Sequence, residues 1–147
     1  MPPTTSTSAQ ALLELVCACG NTQPCPVPRV RVALGEDWLP ALAELVASAH
    51  AARWHVTDDL TTASCPPCLR TARCLTWQPQ VGHLVVVHRF GPAVPALNTG
   101  AGCRLVRICQ ECGWRHYDPP PPAATATIVG AVRLTAADAS PMNGAPQ

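Results

Sequence analysis

Large core-filling side chains are scarce in this sequence. It has one Phe and one Tyr beside four Trp, and its hydrophobic share of 48% is carried largely by Ala, Val and Cys. A core of such small residues, in a chain of 147, is of the kind that needs staples, either metal ions or disulfides. Lysine is absent, all ten basic residues being Arg. With the accompanying Ala and Pro bias, this reads as coding in a GC-rich genome rather than as selection for guanidinium chemistry. No apolar run approaches the roughly 20 residues that a membrane-spanning helix requires. Residues 1–10 lack a positively charged start, and the apolar run at 11–16 is too short for a signal core. The expectation is therefore a soluble protein of the reducing cytoplasm with no membrane role. A formal net charge of +1 is too small to steer the whole chain toward nucleic acid or membrane. The motifs of catalysis are missing too. There is no H-E-x-x-H, no G-x-S-x-G and no phosphate loop. His55 has Thr57 rather than Glu two residues on, so Cys65 and Cys68 do not complete a deaminase signature. The chain is expected not to be an enzyme.

What is present in abundance is cysteine and proline. The nine cysteines are Cys17, Cys19, Cys25, Cys65, Cys68, Cys74, Cys103, Cys109 and Cys112. An odd number leaves one thiol over in any full disulfide framework, and a reducing compartment disfavours disulfides. Two C-x-x-C pairs, Cys65-Pro-Pro-Cys68 and Cys109-Gln-Glu-Cys112, point to metal instead. Zinc takes four ligands in a tetrahedron, with Zn–S near ~2.3 Å. Two thiolates separated by two residues sit on one tight turn and face the same ion. A Gly directly after the turn lets the backbone double back where a Cβ would hinder it; Gly113 follows Cys112 and Gly20 follows Cys19. Pro66 and Pro67 stiffen the other turn and lower its entropy cost.

Charge and periodicity organise the rest. Residues 1–64 set Arg29, Arg31 and Arg53 against six carboxylates, whereas residues 65–117 carry six arginines against Glu111 alone. Residues 1–10 read as a disordered start. Residues 11–17 read as a strand running into a metal turn, with a Pro-rich loop over 21–28. The alternation at 29–34 predicts a strand with Val30, Val32 and Leu34 inward. Asp37 is placed to N-cap a helix over about 38–52, with Pro40 tolerated in its first turn. Leu39, Leu42, Leu45, Val46 and Ala49 form its apolar face. Residues 53–57 predict another strand with Trp54 and Val56 inward, and 58–64 a polar turn. The β-branched run at 81–90 predicts a buried strand, 91–102 a Gly/Pro loop, and 104–108 a strand able to pair back on that run, with a return strand over 114–117. Residues 119–122 are polyproline. Residues 126–134 carry enough Ile and Val for one edge strand or none, and 139–147 read as a loose tail. Together these predict an α+β chain of short antiparallel strands with one main helix. Its parts are a start at 1–10, a first cysteine module at 11–74, a second at 75–118 and a Pro/Ala-rich tail at 119–147.

The stretch from Cys17 to Cys68 resembles the zinc-ribbon class, in which two cysteine turns grip one ion between short antiparallel strands. It is also similar to small bacterial and phage proteins that follow a first cysteine turn ending in Gly with a helix, a Trp and then C-P-x-C. Cys19-Gly20, the predicted helix, Trp54 and Cys65-Pro66-Pro67-Cys68 stand in those places. The first turn departs from that pattern, being C-x-C where C-x-x-C is usual, so Cys25 is an alternative to Cys17. What the resemblance implies is bound Zn2+ held by Cys17, Cys19, Cys65 and Cys68. For a second site, Cys109 and Cys112 need partners. Cys103, six positions earlier, is the nearest thiol, and Cys74, His83, His88 and His116 are the other candidates. A single ion shared by Cys65, Cys68, Cys109 and Cys112 is the alternative arrangement.

Two functional classes follow. One is a zinc-stapled protein-interaction or accessory module, which the prolines, apolar strands and near-neutral charge suit. The other is a nucleic-acid-binding module using Arg104, Arg107 and Arg115 with Trp114 and Tyr117 as stacking platforms. A thiol-redox or metal-dependent enzyme is a third reading. The redox form would need Cys65 to open a helix after a strand. The metal-dependent form would need a metal with an open position, which thiolate-rich pairs do not favour.

Overall fold

The structure, a computed structural model, describes residues 9–96 and 104–136. Along the chain run β1 (Gln10–Leu15), β2 (Arg29–Ala33), the helix α1 (Leu39–Ala51), β3 (His55–Val56), β4 (Ala63–Ser64), the short helix α2 (Pro66–Arg70) and a 3-10 turn (Thr71–Cys74). They are followed by β5 (Leu75–Gln78), β6 (His83–Val86), β7 (Val94–Ala96), β8 (Arg104–Ile108), β9 (Arg115–Asp118) and β10 (Val132–Ala136). The class is α+β, and the strand ladders are antiparallel. Among the described residues no helix is long and apolar enough to cross a membrane.

The main core lies under a three-stranded sheet ordered β10-β1-β2. On β1 the alternate residues Ala11, Leu13 and Leu15 are buried. They meet Val30 and Val32 of β2, Val132 of β10, and Leu45 and Ala49 of α1. Burying each of the larger side chains contributes about 1.5–3 kcal/mol relative to leaving it in water. Glu14 points to the other face, yet it is only 5% exposed. The register places it opposite Arg29 on one side and Arg133 on the other. Its carboxylate accepts from Arg29 Nε at 2.7 Å and from Arg133 Nη2 at 3.0 Å. Two cross-strand ion pairs therefore clamp the three strands through one central residue, offsetting the desolvation of the carboxylate.

Several expectations are corrected here. The helix begins at Leu39 with Trp38 as its N-cap, and the cap side chain makes no bond. The Asp37 carboxylate still accepts from the Leu39 N–H at 3.1 Å. The apolar face is turned toward Trp38, Leu42, Leu45, Ala49 and Ala52, leaving Leu39 69% exposed. Leu34 falls beyond β2 and is exposed as well. Trp54 and Val56 are buried as expected, although the strand itself is only His55–Val56, and the expected polar turn contains its partner β4. Of the two readings given to residues 126–134 the edge strand is the one formed, on β1, but it runs later, over Val132–Ala136. Gln10 already belongs to β1. The rest of the expected disordered start, residues 1–8, and the tail from 137 onward lie outside the described residues.

The second half has a different character. β5 and β6 form a two-stranded hairpin, and β7, β8 and β9 a separate three-stranded sheet. The run at 81–90 is not a buried strand. Only His83–Val86 is extended in a ladder, and Val81, Leu84, Val86 and Val87 are exposed. Among the described residues no second layer of secondary structure covers it. The strand at Arg104–Ile108 does not pair with that run in a ladder; the run instead meets the residues just after the strand, through the isolated bridge between Phe90 and Cys109 and the Gln110 N–H donating to the Arg89 carbonyl at 2.9 Å. The strand's ladder partners are β9 and β7, the latter inside the segment expected to be loop.

Candidate metal centres

Four thiols converge at the first centre. Cys17 leaves β1 at its C-terminal end, and a turn closed by Gly20 N–H donating to the Cys17 carbonyl at 2.8 Å carries Cys19. Gly20 has φ +73, and a Cβ there would lie 2.6 Å from the Ala123 Cβ, so only glycine fits. The Asn21 side chain holds the turn from the other side. Its Oδ1 accepts from the Cys17 N–H at 2.8 Å and its Nδ2 donates to the Leu15 carbonyl at 3.0 Å. Cys65 is the extended N-cap of α2, whose first two residues are the prolines, where their missing N–H groups cost nothing. Cys68 follows one turn later.

The sulfur atoms of Cys17, Cys19, Cys65 and Cys68 all lie within 4.8 Å of one another. Cys17 and Cys68 are 3.3 Å apart, and Cys19 and Cys65 are 3.9 Å apart. A disulfide requires about 2.05 Å; the edge of a zinc–thiolate tetrahedron is about 3.8 Å, from Zn–S near 2.3 Å. The backbone N–H groups of Cys65 and Cys19 point at the Cys17 sulfur, at 3.2 and 3.5 Å. The C-x-C turn thus brings both of its thiols to the centre. Cys25 packs beside this cluster without being one of the four, and burial pushes its thiol up.

The second centre joins residues that the chain separates. Cys109 follows directly on β8, and Cys112 comes next in a turn closed by Gly113 N–H to the Cys109 carbonyl at 2.9 Å, with Gly113 at φ +81. Cys74 closes the 3-10 turn. The β5–β6 hairpin carries the chain back so that the Val87 N–H donates to the Cys74 carbonyl at 2.9 Å, which delivers His88 to the same place. Cys74, His88, Cys109 and Cys112 form a second group with donor atoms within 4.8 Å of one another. Cys74 and Cys109 sulfurs are 3.6 Å apart, and the Cys112 sulfur is 3.4 Å from His88 Nδ1. The imidazole is held flat against Trp114, with centroids 5.9 Å apart and planes at 7°.

Four sulfurs at such distances cannot all be anions unless a cation lies between them, and their acidities divide accordingly. Cys19 is held far below the ordinary thiol range by its contact with Cys17, then by Cys65 and Cys68. Cys65 and Cys68 are pushed up, in each case first by Cys17 and next by Cys19. Cys17 comes down to about 6: contact with Cys19 opposes the shift, and contacts with Cys65 and Cys68 carry it. At the second centre burial works against ionising Cys109, yet backbone amides, that of Cys112 foremost, bring it down to about 5. Cys74 is pushed up to about 12 by burial and then by Cys109. A divalent cation would relieve this competition by accepting every sulfur as thiolate.

The structure thus brings Cys17, Cys19, Cys65 and Cys68 together as expected, and separates them from Cys109 and Cys112. The arrangement in which those two pairs share one ion is not the one the fold makes. Cys74, although it follows the first cysteine turn closely, faces the second group. Cys103 lies outside the described residues, and the second group has four donors without it. Neither His83 nor His116 is among them; His83 Nδ1 sits 3.1 Å from the Leu84 carbonyl, and His116 leans on Phe90. The chain therefore carries two cysteine-rich groups, one of four cysteines and one of three cysteines with a histidine, each able to hold a metal ion. No protein-family model, curated protein or solved structure matches the chain.

Proposed function

We propose that this chain is a structural zinc protein of zinc-ribbon type that holds two Zn2+ ions and serves as a protein-interaction module. The observation that carries the zinc reading is the pair of separate four-donor groups whose contacts are close to tetrahedral edges. Donor sets of four sulfurs, or of three sulfurs and an imidazole nitrogen, suit zinc, and a fully protein-ligated tetrahedron is a closed, structural centre. Cys65 does open a helix after a strand, as a redox pair would. Its sulfur, however, shares its space with Cys17 and Cys19, which favours a closed centre over dithiol chemistry. Protein purified without added metal is expected to carry two zinc ions per chain in native mass spectrometry. Both should leave on acidification, since protons compete for the thiolates. One ion would remove one centre from the reading. No zinc with oxidised cysteines would overturn it.

The interaction surface is the β5–β6 hairpin. Its register puts Leu75 opposite Val86 and Trp77 opposite Leu84, so these four share one face. All are exposed, Trp77 by 58% and Leu84 by 54%, and none is charged. Of the three arginines named for nucleic acid Arg104 is engaged, as are two others of the same basic stretch. Arg89 pairs with Glu111, Arg70 donates to the Cys112 carbonyl and Arg104 to the Pro119 carbonyl. Trp114 lies on His88 rather than free to stack on a base. The partner is accordingly a protein with an apolar surface. Photo-crosslinking from position 77 is expected to trap a protein, with capture that survives high salt and is lost in Leu84→Ser at unchanged zinc content. Capture of nucleic acid, weakening steeply with salt as phosphate contacts do, would carry the arginine reading instead.

A further inference from the structure

We propose that the two centres form one cooperative unit, in which an ion at the first raises the affinity of the second. This rests on the reading of both groups as zinc centres and adds that they are energetically joined. The join is visible as one short segment and two side chains. The segment comprises α2 and the 3-10 turn, which follow one another without a break. Cys65 caps its start and Cys68 lies in its first turn, both in the first group, whereas Cys74, its last residue, belongs to the second. Helical pieces of this length do not hold their shape alone in water. Fixing the start of the segment to an ion therefore fixes the position from which Cys74 is presented. The Thr71 hydroxyl, donating to the Cys68 carbonyl at 2.6 Å, ties the two parts together.

The side chains cross the same gap. Arg70, two residues after Cys68, donates from Nε to the carbonyl of Cys112 at 3.3 Å. Gln23, four residues after Cys19, is 5% exposed. Its carboxamide accepts from the Arg115 N–H and donates to the Arg115 carbonyl, both at 2.8 Å. It supplies to β9 the paired bonds that a neighbouring strand would give. The residue before it, Thr22, donates from its hydroxyl to the Cys19 carbonyl at 3.0 Å, so the residue that braces the second sheet follows directly on the first turn. Ordering either turn removes part of the conformational cost of ordering the other, and linkage makes the effect reciprocal.

The test is a native mass spectrometry titration of the metal-free full chain with buffered free zinc, giving the ratio of the second to the first stepwise constant. The Gln23→Ala/Arg70→Ala variant retains all eight donors. Its ratio is expected to fall by roughly tenfold, with the one-zinc species rising at the expense of the metal-free and two-zinc forms. A ratio equal to that of the parent chain, with two ions still bound, would overturn the coupling and leave the zinc reading standing. Absence of zinc from the parent chain would overturn both. Should the double variant fail to fold, Arg70→Ala alone removes one of the two crossing contacts. A smaller fall in its ratio is expected, and none would overturn the proposal.

Discussion

Cys112→Ser is expected to unfold the second half of the chain while the sheet under α1 stays folded. The reason lies in what each half buries. Around the first centre the buried cluster includes Leu13, Leu15, Leu45, Trp54 and Val132, a hydrophobic core in its own right. Around the second, the buried cluster is Cys74, Cys109 and Cys112, with Trp114 packed against it. Its members are the donors themselves. With so little apolar area removed from water, folding there depends on the ion, whose apparent contribution in zinc-finger peptides is about 10–16 kcal/mol. A Ser hydroxyl is a poor substitute for the thiolate at a zinc tetrahedron. Hydrogen exchange read by mass spectrometry should show protection lost across β5 to β9 and kept in β1, β2, β10 and α1. Full zinc content with unchanged protection in β8 and β9 would rule out this assignment of the second centre.

The same division explains what is legible in the sequence. Elements facing a real core declare themselves by period. Val30 and Val32 alternate against water, and Leu42, Leu45 and Ala49 recur at helical spacing, because one side of each element is buried and the other is not. The C-x-x-C pairs are local, so Cys65 with Cys68 and Cys109 with Cys112 can be read directly. Cys74 and His88 cannot be chosen from five candidate partners, because their meeting depends on the register of a hairpin. The available signal is the Pro79 to Gly82 turn, whose centre sets Cys74 across from Val87 and delivers His88 one residue later. The run at 81–90 reads as buried because a continuous apolar stretch usually is. That inference fails in a two-stranded hairpin with no layer above it among the described residues, and the exposed face it leaves is the one proposed to dock a partner. β10 is ambiguous for a different reason: its partner β1 lies at the opposite end of the chain, and no local pattern reports a pairing at that distance.

Cys65→Ser is expected to damage both centres, and by the same reciprocal coupling Cys112→Ser should weaken the first centre by a like factor. Cys65 is fully buried. It is the residue at which β4 hands over to α2, and its N–H donates to the Cys17 sulfur at 3.2 Å. Removing its thiolate leaves Cys17, Cys19 and Cys68 to hold an ion in a site built for four. Mutating a mere supporting partner of a ligand costs about 10–100-fold in metal affinity, so losing the ligand should cost the first centre more than roughly a hundredfold. The freed start of α2 then no longer fixes Cys74, and the second centre should weaken by roughly tenfold, the size of an ordinary coupling. The hydrophobic cluster beneath β1 and α1 does not depend on the ion for its apolar area. The variant should accordingly keep helical circular dichroism while its melting temperature falls and both zinc ions become easier to strip with a chelator. A Cys65→Ser chain that lost only one ion, with the other held as tightly as in the parent, would show that the two centres stand apart. One that kept both ions and its melting temperature would remove Cys65 from the metal and with it the first centre as drawn.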